Sequence, residues 1–230
     1  MSIGQIDKLC GITSSVYWLR KFNIPRRSNE ESVHLRKANH CHLSGEAIAW
    51  LNGELLGDGC LRSRSPYSAK FLYTSKYLEY CQYVSDKLES YGIKKVGKIT
   101  KRCGNGWTSY NYTSRQYEEL YPLYRKWYPN KKKIVPRDIS LIPLMIRQWF
   151  IGDGCLIKPK KGNPYITLAT NGFTVYDVEW LKEQLIQLGF KVIRQPSNIL
   201  RISAYSIKKF IEYIGKSPVE CYRYKFDLNK

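Results

Sequence analysis

The sequence predicts an α+β fold made by duplication: two αββαββα units in one chain, with a small helical segment in front. Three observations predict it. The tetrapeptide GDGC occurs twice, at Gly57–Cys60 and Gly152–Cys155, with its aspartates 95 positions apart. Each copy closes an apolar helical stretch and is followed by the same succession of strand-like and helix-like segments. The strand-like segments alternate apolar and polar residues, the pattern of antiparallel sheets with one buried face.

Taken in order, residues 1–27 form a small unit of their own. Ile3, Ile6 and Leu9 share one face of a short helix, and Gly11 breaks it. Thr13 or Ser14 can cap a second helix that carries Val16, Leu19 and Phe22 inward. Helix, glycine turn, helix is the arrangement that lays a second helix in a DNA major groove, and the basic pair Arg26 and Arg27 follows it. A plain helical hairpin is the alternative. Residues 28–43 are polar, hold all three histidines and read as a linker.

The first repeat, 44–138, opens with a helix over 44–56 capped by Ser44. Strands are expected at 61–65 and 70–75, a helix at 77–91 ending at Gly92, strands at 96–103 and 107–114, and a helix at 116–127. The second repeat, 139–230, repeats the order. A helix spans 143–151 with Pro143 in its first turn, then strands 156–160 and 165–170. A helix over 175–188 stops at Gly189, followed by strands 191–195 and 200–205 and a helix 207–214.

Composition narrows the function. The 230 residues are 43% hydrophobic, so a core can form, and no apolar run reaches the ~18–20 residues of a membrane span. The N-terminus lacks a signal-peptide pattern, so a soluble, intracellular, non-secreted protein without a membrane partner is expected. Lys and Arg number 38 against 19 acids, a net charge of +19, which makes nucleic acid the expected partner. A ribosomal or membrane-surface protein could share that charge but has no use for a repeated acidic tetrapeptide. The seven cysteines form no C-x-x-C pair and read as reduced thiols, and His40–Cys41–His42 is too contiguous for a zinc site.

Strand faces sort by chemistry. Arg62 and Arg64 share a face, as do Lys98, Thr100 and Arg102, then Lys158 and Lys160, then Arg201, Ser203 and Tyr205. With Lys70 and Arg194 they make a candidate DNA-binding surface; ordinary solvated sheet faces are the alternative.

The helices leading into the two tetrapeptides explain the repeat. Ala49, Gly53 and Gly57 recur every four residues and leave a groove in which another helix can lie close. Its partner is the equivalent helix, and aligning the tetrapeptides pairs Gly57 with Gly152 and Gly53 with Gln148. The helix ends then bring Asp58 and Asp153 together. Two adjacent carboxylates at two partly negative helix C-termini repel, so cations are expected between them. Hard divalent ions with oxygen ligands suit the place, and paired ions are a known device for phosphodiester cleavage.

The segments WLNGELLGDG and IRQWFIGDG resemble the signature helices of the LAGLIDADG homing endonucleases in their single-chain, two-repeat form. FLYTSKYLEY, NKKKIVPRDI, LATNGFTVYDVEWL and YRYKF resemble further family segments, so the resemblance covers about residues 44–228. It implies saddle-shaped antiparallel sheets that straddle DNA. It also implies Mg²⁺-dependent cutting of both strands across the minor groove with short 3′ overhangs, by a monomer. Two or three ions would be shared between Asp58 and Asp153, with the Gly57 and Gly152 carbonyls facing them. By position, Lys133 and Lys225 match the family's basic residues near each scissile phosphate, with Lys132 a rival to the first. Ser75 and Asn171 match water-positioning residues.

Two departures stand out. Leu56 and Ile151 occupy positions where the signature often has an acid, leaving one acid for each helix end. Gln148 stands where a glycine is usual, so looser packing is expected there. A non-cutting binder on the same scaffold, an intron RNA maturase or a DNA-binding regulator, is the alternative function. Retention of both aspartates and both lysines favours cutting.

Overall fold

In the computed structural model, which describes residues 3–11, 15–25, 28, 31–32 and 39–228, the duplication takes the form of two sheets of identical plan. Strands β1 (Cys60–Ser65), β2 (Ser68–Ser75), β3 (Thr100–Gly104) and β4 (Trp107–Thr113) form an antiparallel sheet in the order β1-β2-β4-β3. Strands β5 (Gly154–Ile157), β6 (Tyr165–Leu168), β7 (Val192–Arg194) and β8 (Leu200–Ile202) form the second, in the order β5-β6-β8-β7. Helix α3 (Gly45–Leu56) leads into the first sheet and α6 (Pro143–Asp153) into the second. Helices α4 (Leu78–Ser90) and α7 (Val175–Gln187) connect the hairpins, and α5 (Leu120–Trp127) and α8 (Ala204–Ile214) follow them. This is the α+β, twice-repeated αββαββα plan expected from the sequence.

Local chemistry sets the ends of these elements. The Ser44 hydroxyl accepts from Ala47 N at 3.1 Å and starts α3. Thr174 and Asp177 form a reciprocal capping box on α7. Gly92 and Gly189, with φ of +81° and +83°, supply the left-handed turn after α4 and α7.

The second repeat departs from the expected strands. β8 ends at Ile202, Ser203 is the extended N-cap of α8, and Tyr205 is helical. Ala204 continues the alternation of Leu200 and Ile202, which made a longer strand plausible. The apolar spacing of Ile207, Phe210 and Ile214, all buried, wins the segment for a helix. β5 likewise stops at Ile157, leaving Lys158 and Lys160 in the loop, and β3 begins only at Thr100, leaving Lys98 in a bend.

Helices α3 and α6 pack against each other at the centre, and almost all of their second halves are buried. Their backbones meet at two levels. A methyl group at Gly57 would stand 3.4 Å from Gly152 Cα, so contact at the C-terminal ends is close. One turn earlier the approach is closer still: a methyl at Gly53 would lie 2.6 Å from Met145 O and 2.8 Å from Gln148 Cβ. The looser packing expected at Gln148 is therefore not found. Gly53 supplies the space that Gln148 fills.

The chain divides into two compact units, Met1–Ala38 and Asn39–Lys230. In the first, α1 (Ile3–Cys10) and α2 (Ser15–Lys21) are joined through Gly11 at φ +63°, and Asp7 Oδ1 accepts from Ser15 N at 2.7 Å. Phe22 lies beyond the helix end and is 63% exposed rather than turned inward, and it stacks on Trp18. The expected cap at Thr13 or Ser14, the pair Arg26 and Arg27, and half of the 28–43 linker lie outside the described residues. Among the described residues no helix is long and apolar enough to cross a membrane.

Gly53→Ala should lower stability by about 1–3 kcal/mol, because the added methyl meets backbone on α6 and cannot be relieved by a rotamer change. The ~1 kcal/mol gain in helix propensity does not offset it. Urea unfolding should show the midpoint moving down with an unchanged slope; an unshifted or raised midpoint would contradict the close contact.

Candidate active site

The tight crossing of α3 and α6 places Asp58 and Asp153 side by side. A methyl at Gly152 would lie 3.1 Å from Asp58 N and 3.7 Å from Asp58 Oδ2, so the Asp58 carboxylate rests against the turn that carries Asp153. The two ends are not identical: Asp153 is the last residue of α6, whereas Asp58 lies two residues past α3. Tyr73 Oη, from the buried face of β2, donates to Asp58 Oδ2 at 3.4 Å.

A lysine stands beside each end. Lys225 Nζ donates to Ile151 O at 2.6 Å and Gly152 O at 3.3 Å. Lys133 Nζ donates to Gly59 O at 3.1 Å and Gly57 O at 3.3 Å. These bonds satisfy backbone carbonyls at the paired helix ends, where an ammonium also offsets the negative end of the dipole. Asn130 and Lys131, with φ of +55° and +62°, turn the chain sharply before this point, so Lys131 and Lys132 stay exposed while Lys133 enters the centre. The Gly57 and Gly152 carbonyls, expected to face metal ions, accept from these lysines instead.

The site is electrostatically tense. Burial, and after it the Asp58 charge, pushes the Asp153 carboxyl up to about 7, against the pull of Lys133 and Lys225. Burial also raises Asp58, opposed first by Lys225 and then by the Tyr73 hydrogen bond. Asp58 is exposed to solvent, yet protein atoms crowd round its carboxylate, so desolvation still dominates. Burial lowers the affinity of Lys133 and Lys225 for their protons, and the aspartates oppose this.

A cavity of about 270 Å³ opens at this point, lined by Gly57, Lys133, Asp153, Asn171 and Phe173 among others. Asn171 is thus brought to the centre. The buried Ser75 hydroxyl is taken up by its neighbours: it accepts from Tyr77 N at 3.1 Å and bonds Tyr222 Oη at 3.2 Å. Glu54, on the buried part of α3, escaped the sequence reading, which allowed one acid for each helix end. It occupies an apparent core position among Trp50, Leu51 and Leu55, and the only signal for it was an acid inside an apolar helix.

The open face of the first sheet is polar and basic. Pairing puts Arg62 opposite Lys70, Thr74 opposite Asn111, Asn111 opposite Thr100 and Ser109 opposite Arg102. Arg62, Arg64, Lys70, Thr100 and Arg102 therefore lie on strands of one surface, which also carries Asn111 and Thr74, unmarked in the sequence because neither is charged. Lys98 is exposed just before β3. On the second sheet Arg201 pairs with Thr167 and Ile193 and stacks over the Tyr165 ring at 3.8 Å. Arg194 falls in the other register, aligned with buried Leu200, and pairs with Glu179 of α7 through Nε at 2.5 Å. The structure thus takes Arg194 away from the open face. Lys158 and Lys160 are exposed in the β5–β6 loop, where Lys158 Nζ donates to Leu228 O. Ser203 and Tyr205 belong to the start of α8 rather than to a strand face.

Among the described residues no group of three or more His, Cys, Asp or Glu gathers to hold a metal. The acidic pair with its two lysines is the distinctive assembly of the molecule.

The model of the LAGLIDADG DNA endonuclease family matches residues 48–210. The chain is 26% identical over 148 residues to an uncharacterized protein of Methanocaldococcus jannaschii, covering 63% of this chain and 57% of that one. It is 28% identical over 153 residues to the cytochrome b mRNA maturase bI2 of Debaryomyces hansenii, covering 62% and 56%. The matches thus span little more than half the length of these curated relatives. Among solved structures, the homing endonuclease I-WcaI bound to its DNA recognition sequence shares the fold, with a TM-score of 0.72, 17% identity, and coverage of 92% of this chain and 98% of that one.

Asp153 gives a pH test. Its folded-state carboxyl is raised from 3.8 to about 7, so its contribution to stability is complete below pH 3.8 and is lost as pH rises through 7. With chelator present, Asp153→Asn should gain stability relative to the parent across that interval. Thermal melts from pH 4 to 8 check it, and a constant gap between the two proteins would contradict the buried, repelled carboxyl.

Proposed function

Because the chain belongs to the LAGLIDADG DNA endonuclease family, we propose that it is a sequence-specific homing endonuclease that cuts both strands of a DNA site. It works as a Mg²⁺-dependent monomer and leaves short 3′ overhangs. The observation that carries this reading is the abutting pair of helix ends, each with one aspartate and one lysine, Lys225 buried and Lys133 half-buried. A fold that needed only to bind DNA gains nothing from two carboxylates raised by burial, one of them further by repulsion from the other.

The donor set fits divalent ions. Two carboxylates without a third acid suit a hard ion that keeps most of its shell as water or substrate phosphate oxygen. Asp58 and Asp153 would hold it. When bound, Mg²⁺ supplies Lewis-acid stabilisation of the phosphate and lowers the pKa of its water.

The chain's own residues do the rest. The basic open faces bind the duplex backbone, a contact that fixes register and weakens with salt. Asp58 and Asp153 lie where two phosphates, one from each strand, can be presented together. Lys133 and Lys225 supply fixed positive charge next to the phosphate on which negative charge accumulates. Asn171, in the same cavity as Lys133 and Asp153, orients the attacking water. The Met1–Ala38 unit adds DNA contacts outside the central site, through its paired helices and the basic pair Arg26 and Arg27.

A second reading, service to an intron RNA as a maturase, is favoured by one observation, the likeness to a cytochrome b mRNA maturase. Selection for cleavage on a randomised DNA library with Mg²⁺ separates the two: a cut product supports the nuclease, and RNA affinity without cleavage supports the maturase.

Asp58→Asn and Asp153→Asn should each abolish double-strand cleavage and leave DNA binding in chelator intact. Lys133→Met and Lys225→Met should each slow cutting by about 10²–10³-fold. Plasmid cleavage gels and binding titrations measure both; normal cutting by an aspartate variant would remove the mechanism.

Deleting residues 1–38 should weaken specific binding and flatten its salt dependence. Unchanged titrations at two salt concentrations would reduce that unit to an appendage.

A further inference from the structure

Just below the paired aspartates, the interface between α3 and α6 holds a carboxyl that the proposed chemistry does not use. Glu54 is 1% exposed, and its Oε1 lies 2.7 Å from Tyr80 Oη. The same hydroxyl lies 3.1 Å from Gln148 Oε1 on the opposing helix. Gln148 Nε2 in turn donates to Tyr83 Oη at 3.3 Å, which also receives Trp50 Nε1 at 3.3 Å.

Proton counting bears on the charge of Glu54. Tyr80 has one hydroxyl proton and faces two oxygens. If Glu54 is ionised, both oxygens are acceptors and one lacks a donor unless the Gln148 amide is turned over. If Glu54 carries a proton, its O–H donates to Tyr80, Tyr80 donates to Gln148, and Gln148 donates to Tyr83. Every contact is then satisfied in one direction.

The surroundings agree. The titratable groups around Glu54 are Tyr73 from β2, Tyr80, Cys81 and Tyr83 from α4, and Asp58 two residues past its own helix, with Tyr222 packed on the far side of Tyr80. None is a cation, so an ionised Glu54 would be a buried, unpaired charge beside Asp58. Burial pushes its carboxyl up to about 8; the Tyr80 hydrogen bond pulls against this, and the Asp58 charge adds to it.

We infer that Glu54 is a positioning residue for the paired aspartates: as a neutral carboxylic acid it directs a hydrogen-bond chain through Tyr80, Gln148 and Tyr83. That chain ties α3 to α6 one turn below Asp58. Tyr80 also packs on Tyr73, the donor to Asp58, with ring centroids 5.3 Å apart, so the chain supports the aspartate from a second side. Only the effect on cleavage rests on the nuclease reading.

The sign of the pH effect follows. A carboxyl raised from 4.5 to about 8 contributes its stability in full below pH 4.5 and loses it as pH rises through 8. Ionisation would draw the Tyr80 proton to Glu54, release Gln148, and set a third carboxylate beneath the other two.

Glu54→Gln tests this, because the amide can donate to Tyr80 without titrating. In metal-free protein at neutral pH, the infrared difference between parent and Glu54→Gln should show the loss of one protonated-carboxyl C=O band. Glu54→Gln should gain thermal stability relative to the parent from pH 5 to 9. Cleavage by Glu54→Gln should match the parent at pH 7 and exceed it at pH 9, whereas Glu54→Leu, which offers Tyr80 no proton, should cut about tenfold slower.

The inference is overturned if no carboxyl band is lost, or if Glu54→Gln melts below the parent at pH 7. Either result marks a carboxylate whose charge the fold needs, as when the Gln148 amide is turned over and Tyr80 donates to Glu54. A parent that cuts no DNA would sink the nuclease reading alone, since the infrared and melting results still decide the state of Glu54.

Discussion

The contact on which the rest depends is the backbone-to-backbone approach of α3 and α6. At Gly57 a methyl would just touch the facing turn, at 3.4 Å; at Gly152 it would press on it, at 3.1 Å; and at Gly53 it would strike the opposite backbone, at 2.6 Å. This closeness decides where two carboxylates go. Any larger residue at Gly53, or a bulky one at Gly57 or Gly152, would push the helices apart and change the spacing of Asp58 and Asp153. Site geometry and core packing are therefore one constraint: the same van der Waals contact that closes the core sets the spacing at the centre.

That contact creates an electrostatic problem. Two helix C-termini point their negative ends together, and each carries an aspartate. The fold answers with Lys133 and Lys225, whose ammonium groups bond the carbonyls at the helix ends rather than the carboxylates themselves. The lysines thus stabilise the backbone of the junction without taking up the carboxylate oxygens, of which Asp58 Oδ2 accepts from Tyr73. Asp153 still bears the cost of desolvation and repulsion.

Much of this was legible in the sequence because it rests on periodicity and repetition. The duplicated GDGC, the four-residue spacing of small residues, and the terminating Gly92 and Gly189 give the plan, the contact and the helix ends. What escaped detection lies where two local rules compete. Leu200–Tyr205 alternates like a strand, yet Ser203 is a good N-cap and the helical period behind it prevails. Arg194 looks like any basic strand residue, but the register of β7 aligns it with the helix-facing side and Glu179 holds it there. Register depends on which neighbour a strand chooses, and alternation alone does not reveal that. Ser75 has the right type and position for a water-positioning residue, yet a neighbouring tyrosine and its own turn take up its hydroxyl. Glu54 lay hidden because a buried acid reads, by composition, as one charged residue on a helix.

Asymmetry is what duplication within one chain permits. In a symmetric dimer of one repeat, each residue on the axis faces its own copy, so a glycine meets a glycine and a glutamine meets a glutamine. Here Gly53 faces Gln148: one helix supplies the gap and the other the side chain that fills it. Gln148 then reaches a polar chain built from Tyr80, Tyr83 and Trp50, all of the first repeat, while the position matching Glu54 in the second repeat is Trp149. A symmetric interface would have to repeat every one of these groups around the axis, with two buried glutamates and no matching space. Joining the repeats in one chain removed that restriction. It allowed the two aspartates to keep nearly equivalent positions while the structure beneath them specialised, one side tightly packed and the other hydrogen-bonded.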